Sequence, residues 1–158
     1  MKTVAVNHEL RFSCPDGFYQ MDAEERSKLN VIKDGEGESF SNPEQHMLLS
    51  IGWARHSGLM MALAGVSGAA KSMEKQISKP MQQYGYRLVT TKDAAIDGED
   101  AKGVRYEYEA QGVQMVGESF ICKRNKTMYY LHVYYRKELE EESAAIWEGI
   151  FSSLRWIR

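Results

Sequence analysis

Apolar residues recur at every second position through much of this chain and at every third or fourth position elsewhere, and these two periods separate strands from helices. In Val104-Arg105-Tyr106-Glu107-Tyr108-Glu109 apolar and charged residues alternate strictly, so Val104, Tyr106 and Tyr108 share one face of a strand. Thr127 to Arg136 alternates in the same way, with Tyr129, Leu131, Val133 and Tyr135 on an apolar face and Tyr130, His132, Tyr134 and Arg136 on a more polar one; it reads as the last strand. His46 to Trp53, Tyr86 to Lys92 and Val113 to Lys123 read as further strands, and within residues 2–14 Leu10, Phe12 and Cys14 share a face. The links between successive strands are short, which makes them antiparallel, because a parallel return needs a long crossover.

Turn chemistry punctuates this pattern at Pro15-Asp16-Gly17, at Asp97-Gly98 together with Gly103, at Gly112, and at Arg124-Asn125-Lys126. Lys33 to Gln45 is rich in Gly, Glu, Ser and Asn and reads as a loop. Ala23 to Leu29 is a short helix with Asp22 as its N-cap. Gly58 to Tyr84 is the central helix, with Met73, Ile77, Met81 and Tyr84 on one face. Pro80 either kinks it or starts a new turn, and Gly85 ends it. The chain closes on an amphipathic helix. Glu138, Glu140, Glu141 and Glu142 complement the positive end of its dipole, Arg155 and Arg158 the other, and Leu139, Ile146, Trp147, Ile150, Leu154 and Ile157 form its stripe. The expected fold is a single α+β domain, residues 1–158, on an antiparallel sheet packed by helices.

Length and charge narrow the function. The 158 residues suit one domain with one core. A net charge of −2, from 20 basic and 22 acidic residues, argues against nucleic acid as a partner. His8, Glu9 and Arg11 interrupt any signal-like apolar run near the start, and no stretch approaches the roughly 20 apolar residues of a membrane span. A cytoplasmic setting is therefore expected, with Cys14 and Cys122 as free, buried thiols. His8, His46, His56 and His132 show no zinc spacing, and Asp97, Glu99 and Asp100 lack that of a calcium loop. Gly65 to Ser72 imitates a phosphate-binding loop, but Ala70 stands where the second glycine must be. No catalytic residue, metal or cofactor is assigned.

This order of elements resembles the PsbP-like and DcrB-like families. The resemblance rests on Cys14-Pro15-Asp16-Gly17-Phe18, the long central helix, Ile96-Asp97-Gly98 with Ala101, Gly103, Tyr106 and Tyr108, the hairpin ending in Tyr130-Leu131, and Ile150-Phe151-Ser152-Ser153-Leu154. Phe18 stands where the family often has Trp. The resemblance spans most of the chain and implies an α/β/α sandwich. Its families include an extrinsic photosystem II subunit, a Ran-binding nuclear-transport factor and chaperones of type VI secretion effectors. They share no catalytic motif, which implies a binding or assembly role.

The nine methionines then carry two readings. Met is flexible and polarizable, so it either fills the core or lines a surface that accepts apolar partners. The expected function is that of a non-enzymatic adaptor or chaperone-like domain. It would bind a protein partner with an apolar segment through Met73, Met81, Tyr130, His132 and Tyr134. The alternative is a small-molecule binder or small enzyme with a pocket between sheet and helices. Lys123, Arg124 and Lys126 are either a solvated turn or a contact for an acidic group.

Overall fold

A computed structural model describes residues 1–29, 36–55 and 65–158. Residues 2–14 form a hairpin of two strands, β1 (Lys2–Val6) and β2 (Leu10–Cys14), turning through Asn7 and His8, both with positive φ. β3 (Tyr19–Gln20) leads into α1 (Ala23–Ser27). The Asp22 carboxylate accepts the Glu25 N–H, while the Glu25 side chain accepts from the Asp22 N–H, closing the capping box expected there.

β4 (Glu36–Asn42) and β5 (Met47–Arg55) follow, then α2 (Val66–Met81). β4 overturns the expected loop at 33–45. Its apolar signal is a single large residue, Phe40; the neighbouring buried position is Ser39, whose hydroxyl meets that of Ser50 at 2.8 Å. Satisfied polar pairs built this strand inside a polar composition. The start expected for the central helix, Gly58 to Ala64, lies outside the described residues. Pro80 sits in the last turn of α2, and a 3-10 turn over Gln82–Tyr84 ends at Gly85 with φ 70°, the left-handed stop expected there.

Four long strands come next: β6 (Arg87–Ile96), β7 (Glu99–Ala110), β8 (Val113–Arg124) and β9 (Thr127–Arg136). Asp97-Gly98 and Gln111-Gly112 make two-residue turns with both φ values positive, the twist that joins antiparallel strands directly. Gly103 is no part of a connection. It lies inside β7 because the Phe120 ring occupies its side-chain space, at 2.4 Å from where a Cβ would stand.

α3 (Glu140–Ser152) closes the fold, and its stripe stops earlier than expected. The Ser152 and Ser153 hydroxyls donate to the carbonyls of Gly149 and Ile150 in the last turn. The chain then extends into β10 (Arg155–Trp156), which pairs with β2. Thr127–Arg136 is therefore not the last strand, and Ile157 is exposed rather than on a helical face. Arg155 does hydrogen-bond the Ser152 carbonyl at the helix end.

The main sheet runs β3-β4-β5-β9-β8-β7-β6, antiparallel throughout, and β1-β2-β10 form a smaller sheet. One face of the main sheet packs on α3 and the small sheet around Tyr129, Leu131, Val133, Tyr135, Phe120 and Trp147. The other face carries α2, seated on β7 and β8. An α+β sandwich on an antiparallel sheet results; the alternation implied the sheet and the resemblance implied the sandwich.

Candidate binding surface

Strict alternation puts Tyr130, His132 and Tyr134 of β9 on the face that α2 covers, beside Val104 and Tyr106 of β7 and Ser119 and Ile121 of β8. The expected site residues thus share one side of the molecule. Met73 is 4% exposed and fills the core between α2 and the sheet, the first of its two readings. Met81 is half-buried at the end of α2, and Tyr130, His132 and Tyr134 are half-buried on the sheet.

A row of polar side chains crosses this face. Ser39 and Ser50 pair on β4 and β5, Ser50 lies opposite His132, and the Ser119 hydroxyl is 2.7 Å from His132 Nδ1. The Tyr106 hydroxyl meets Ser119 Oγ at 3.3 Å, and the His132 ring stacks on Tyr134 with an interplanar angle of 13°. Burial holds the imidazole well below its ordinary range, at about 4, so it is neutral near pH 7. Burial also raises the Tyr106, Tyr108, Tyr130 and Tyr134 hydroxyls, which stay protonated. The Ser119–His132 contact has the reach of a nucleophile and its base, but Ser119 is fully buried and cannot meet a substrate. Ser39 and Ser50 thus satisfy each other, and Ser119 is shared between His132 and Tyr106, on the sheet face that also carries α2.

The accessible part of this side lies where α2 ends and β6 begins. Six large apolar side chains are exposed among the described residues, and three of them, Tyr84, Leu88 and Val89 at 46%, 43% and 45%, fall within one short segment. Leu88 pairs with Tyr106 and shares its face, while Val89 is the extra residue of a bulge between Leu88 and Thr90. Next to the patch is an open depression of about 360 Å³, lined by Tyr84, Tyr108, Arg87, Glu107, Gln111 and Gln114 among others. A hydrogen bond from Lys137, and then Arg87, hold the Glu107 carboxyl below the usual carboxylate range.

β6 is an edge of the sheet among the described residues, and it is blunted. The bulge at Val89 breaks the backbone repeat, and Lys92 turns its ammonium onto the buried Glu118 carboxylate at 2.8 Å. Both features oppose pairing with another strand, so Tyr84, Leu88 and Val89 present side chains rather than a pairing edge. Sequence reasoning passed over this patch. The available signal was Leu88-Val89, two adjacent apolar residues in a strand, which cannot both face the core.

The other candidates are structural. Cys14 and Cys122 are free and buried, and burial raises both thiols, Cys122 to about 12. Arg124 stacks on Trp156 at 5.4 Å and faces Glu99 at 3.6 Å, so the hairpin-tip cation is part of the packing. Among the described residues no group of three His, Cys, Asp or Glu side chains could hold a metal ion, and no helix is long and apolar enough to cross a membrane.

No family model and no curated protein matches this sequence. Solved structures do. Cyanobacterial PsbP from Synechocystis superposes with a TM-score of 0.74 at 11% identity, covering 99% of this chain and 92% of that one. LpqN of Mycobacterium tuberculosis, involved in cell envelope biogenesis, gives 0.65 at 9% identity over 94% of this chain and 83% of its own. The Ran-binding protein Mog1p of Saccharomyces cerevisiae gives 0.62 at 9% identity over 98% and 94%. At such identities the likeness speaks for backbone architecture, and it extends over more than four-fifths of both partners in each comparison. Together with the sheet order and the placement of α2 and α3, these likenesses give the chain the PsbP-like fold.

Proposed function

We propose that this chain is a non-enzymatic protein-binding module that takes up an apolar segment of its partner at Tyr84, Leu88 and Val89. The observation that carries this reading is the gathering of three of six exposed large apolar side chains in one short segment. Exposed apolar residues scattered singly are ordinary, whereas three within six positions of the chain, with Tyr84 lining a depression, favour an interaction site. Tyr108 lines the depression together with Tyr84, and Met73 and Met81 pack between α2 and the sheet. Tyr130, His132 and Tyr134 shape the sheet face behind α2. The two buried, unbonded thiols accord with a reducing cytoplasm as its setting. A Ran-binding protein among the similar structures supports a protein partner in kind, without indicating which one.

The test places a photo-crosslinking residue at position 88 and, as control, at the exposed Lys126, in the full chain within its native host. An adduct at 88 whose crosslinked peptide is apolar, and which Val89→Asp abolishes, supports the reading. No adduct at 88, or an equal adduct from position 126, refutes it.

A further inference from the structure

Three lysines on α2, Lys71, Lys75 and Lys79, stand at four-residue intervals, which aligns them in one stripe. All three are exposed, and none hydrogen-bonds or ion-pairs through its ammonium with a described residue. The single acidic residue of α2, Glu74, is half-buried and accepts the Tyr86 hydroxyl at 2.8 Å, so it is turned away from the stripe. Most other cations on the described surface are neutralised: Arg26, Arg87, Lys92, Lys102, Arg105, Arg124, Arg136, Lys137 and Arg158 each face a carboxylate. In a chain of net charge −2, α2 concentrates on its outer face positive charge that has no counter-charge among the described residues. The row leads along the helix toward Tyr84, Leu88 and Val89.

We infer that the outer face of α2 docks an acidic protein segment, with carboxylates meeting Lys71, Lys75 and Lys79. This rests on the reading of the 84–89 patch as a protein-binding surface and supplies the chemistry of the partner. Successive lysines are about 6 Å apart along the axis, the spacing of Glu or Asp residues placed four apart on a facing helix. A phosphate chain fits less well. The row is short and holds lysine instead of the arginine that grips phosphate bidentately. An anionic membrane fits less well too, because the outer face of α2 offers no large apolar residue to insert: Ser72, Gln76 and Pro80 lie between the lysines.

The test titrates the isotope-labelled full chain with an Ala-based helical peptide of about 17 residues carrying Glu at every fourth position, followed by amide NMR shifts at about 20 mM salt. Shifts centred on residues 71–79 are expected. They should weaken about tenfold in Lys71→Gln/Lys75→Gln/Lys79→Gln, fade at about 300 mM salt, and persist in Lys126→Gln. The substituted side chains are exposed, and an unchanged thermal melt verifies folding. Shifts spread over Lys2, Arg11 and Lys126 alike, or unaffected by the triple substitution, overturn the inference. So does a response of these amides to an oligonucleotide or to phosphatidylglycerol vesicles in place of the peptide. The peptide has no large apolar residue. A failed titration with an intact crosslink at position 88 therefore overturns the lysine row and leaves the patch standing.

Discussion

Lowering the pH should destabilise this protein through one ring, that of His132. In the folded chain the imidazole is neutral because burial disfavours its charged form, and its pKa is held at about 4 against an ordinary 6.5. Between those values the unfolded chain binds a proton that the folded chain refuses, so stability falls as pH drops through this window and is fully present above pH 6.5. From pH 7.5 to 5 the loss is about 2 kcal/mol, approaching ~3 kcal/mol nearer pH 4. The side chains around the ring offer a new cation little. Ser119, Ser50, Tyr106 and Tyr134 are neutral, and a proton on Nδ1 would force the Ser119 hydroxyl to give up donating there. The assay is urea unfolding of wild type and His132→Gln at both pH values. At pH 7.5 the variant should be less stable by about 1 kcal/mol, for the lost contact with Ser119. By pH 5 it should have closed that gap or passed wild type, because it has no ring to protonate. Subtracting the two curves removes His8, His46, His56 and the carboxylates, which both proteins share. If wild type and variant lose stability in parallel, to within about 0.5 kcal/mol, the buried neutral imidazole is not what the pH reads.

Gly103→Ala should cost about 2 kcal/mol in urea unfolding, because its Cβ would stand 2.4 Å from the Phe120 ring. Phe120→Leu made alongside it should recover part of that loss, and additive costs would show that the ring is not the obstacle. Asp22→Ala should cost about 1 kcal/mol by removing the carboxylate that accepts the Glu25 N–H, while Asp22→Asn should cost a few tenths; equal losses would show that the cap contributes nothing.

Much of the fold was legible because it follows from period alone. The alternation of Thr127 to Arg136 yields β9 with its faces assigned correctly, since Tyr129, Leu131, Val133 and Tyr135 are all fully buried. β4 was not legible, because Ser39 reaches its buried place through a hydroxyl pair with Ser50, and that partner is eleven residues away in sequence. β10 is two residues long, too short to carry a period, and it exists because β2 offers it an edge. Gly103 reads as a turn until Phe120 is known to lie across it. The site was legible in part. The spacing of Met73, Ile77 and Met81 identifies a helical face but cannot say how deeply β7 and β8 receive it. Tyr84 lies past the end of α2, so the helical face stops before reaching it. The spacing of Lys71, Lys75 and Lys79 is visible in the sequence, yet their lack of counter-charges depends on Glu74 turning to Tyr86.

The two faces of the main sheet differ in how much apolar surface they bury, and the difference bears on where the proposed binding surface lies. Among the described residues, twenty-two buried apolar residues join one face to α3 and the small sheet, against five between α2 and the other face. The first face therefore carries most of the apolar burial of the described residues. The α2 side carries features that a stability core would reject: a half-buried neutral imidazole, a row of serines and tyrosines, a helix with one buried side chain, and on its back lysines without a counter-charge among the described residues. α2 also lacks a side-chain N-cap and carries Gly68 and Pro80, so packing on β7 and β8 does most to keep it helical. A surface built on such an element can change its residues with small cost to the fold, which is what a PsbP-like scaffold needs if different chains are to meet different partners.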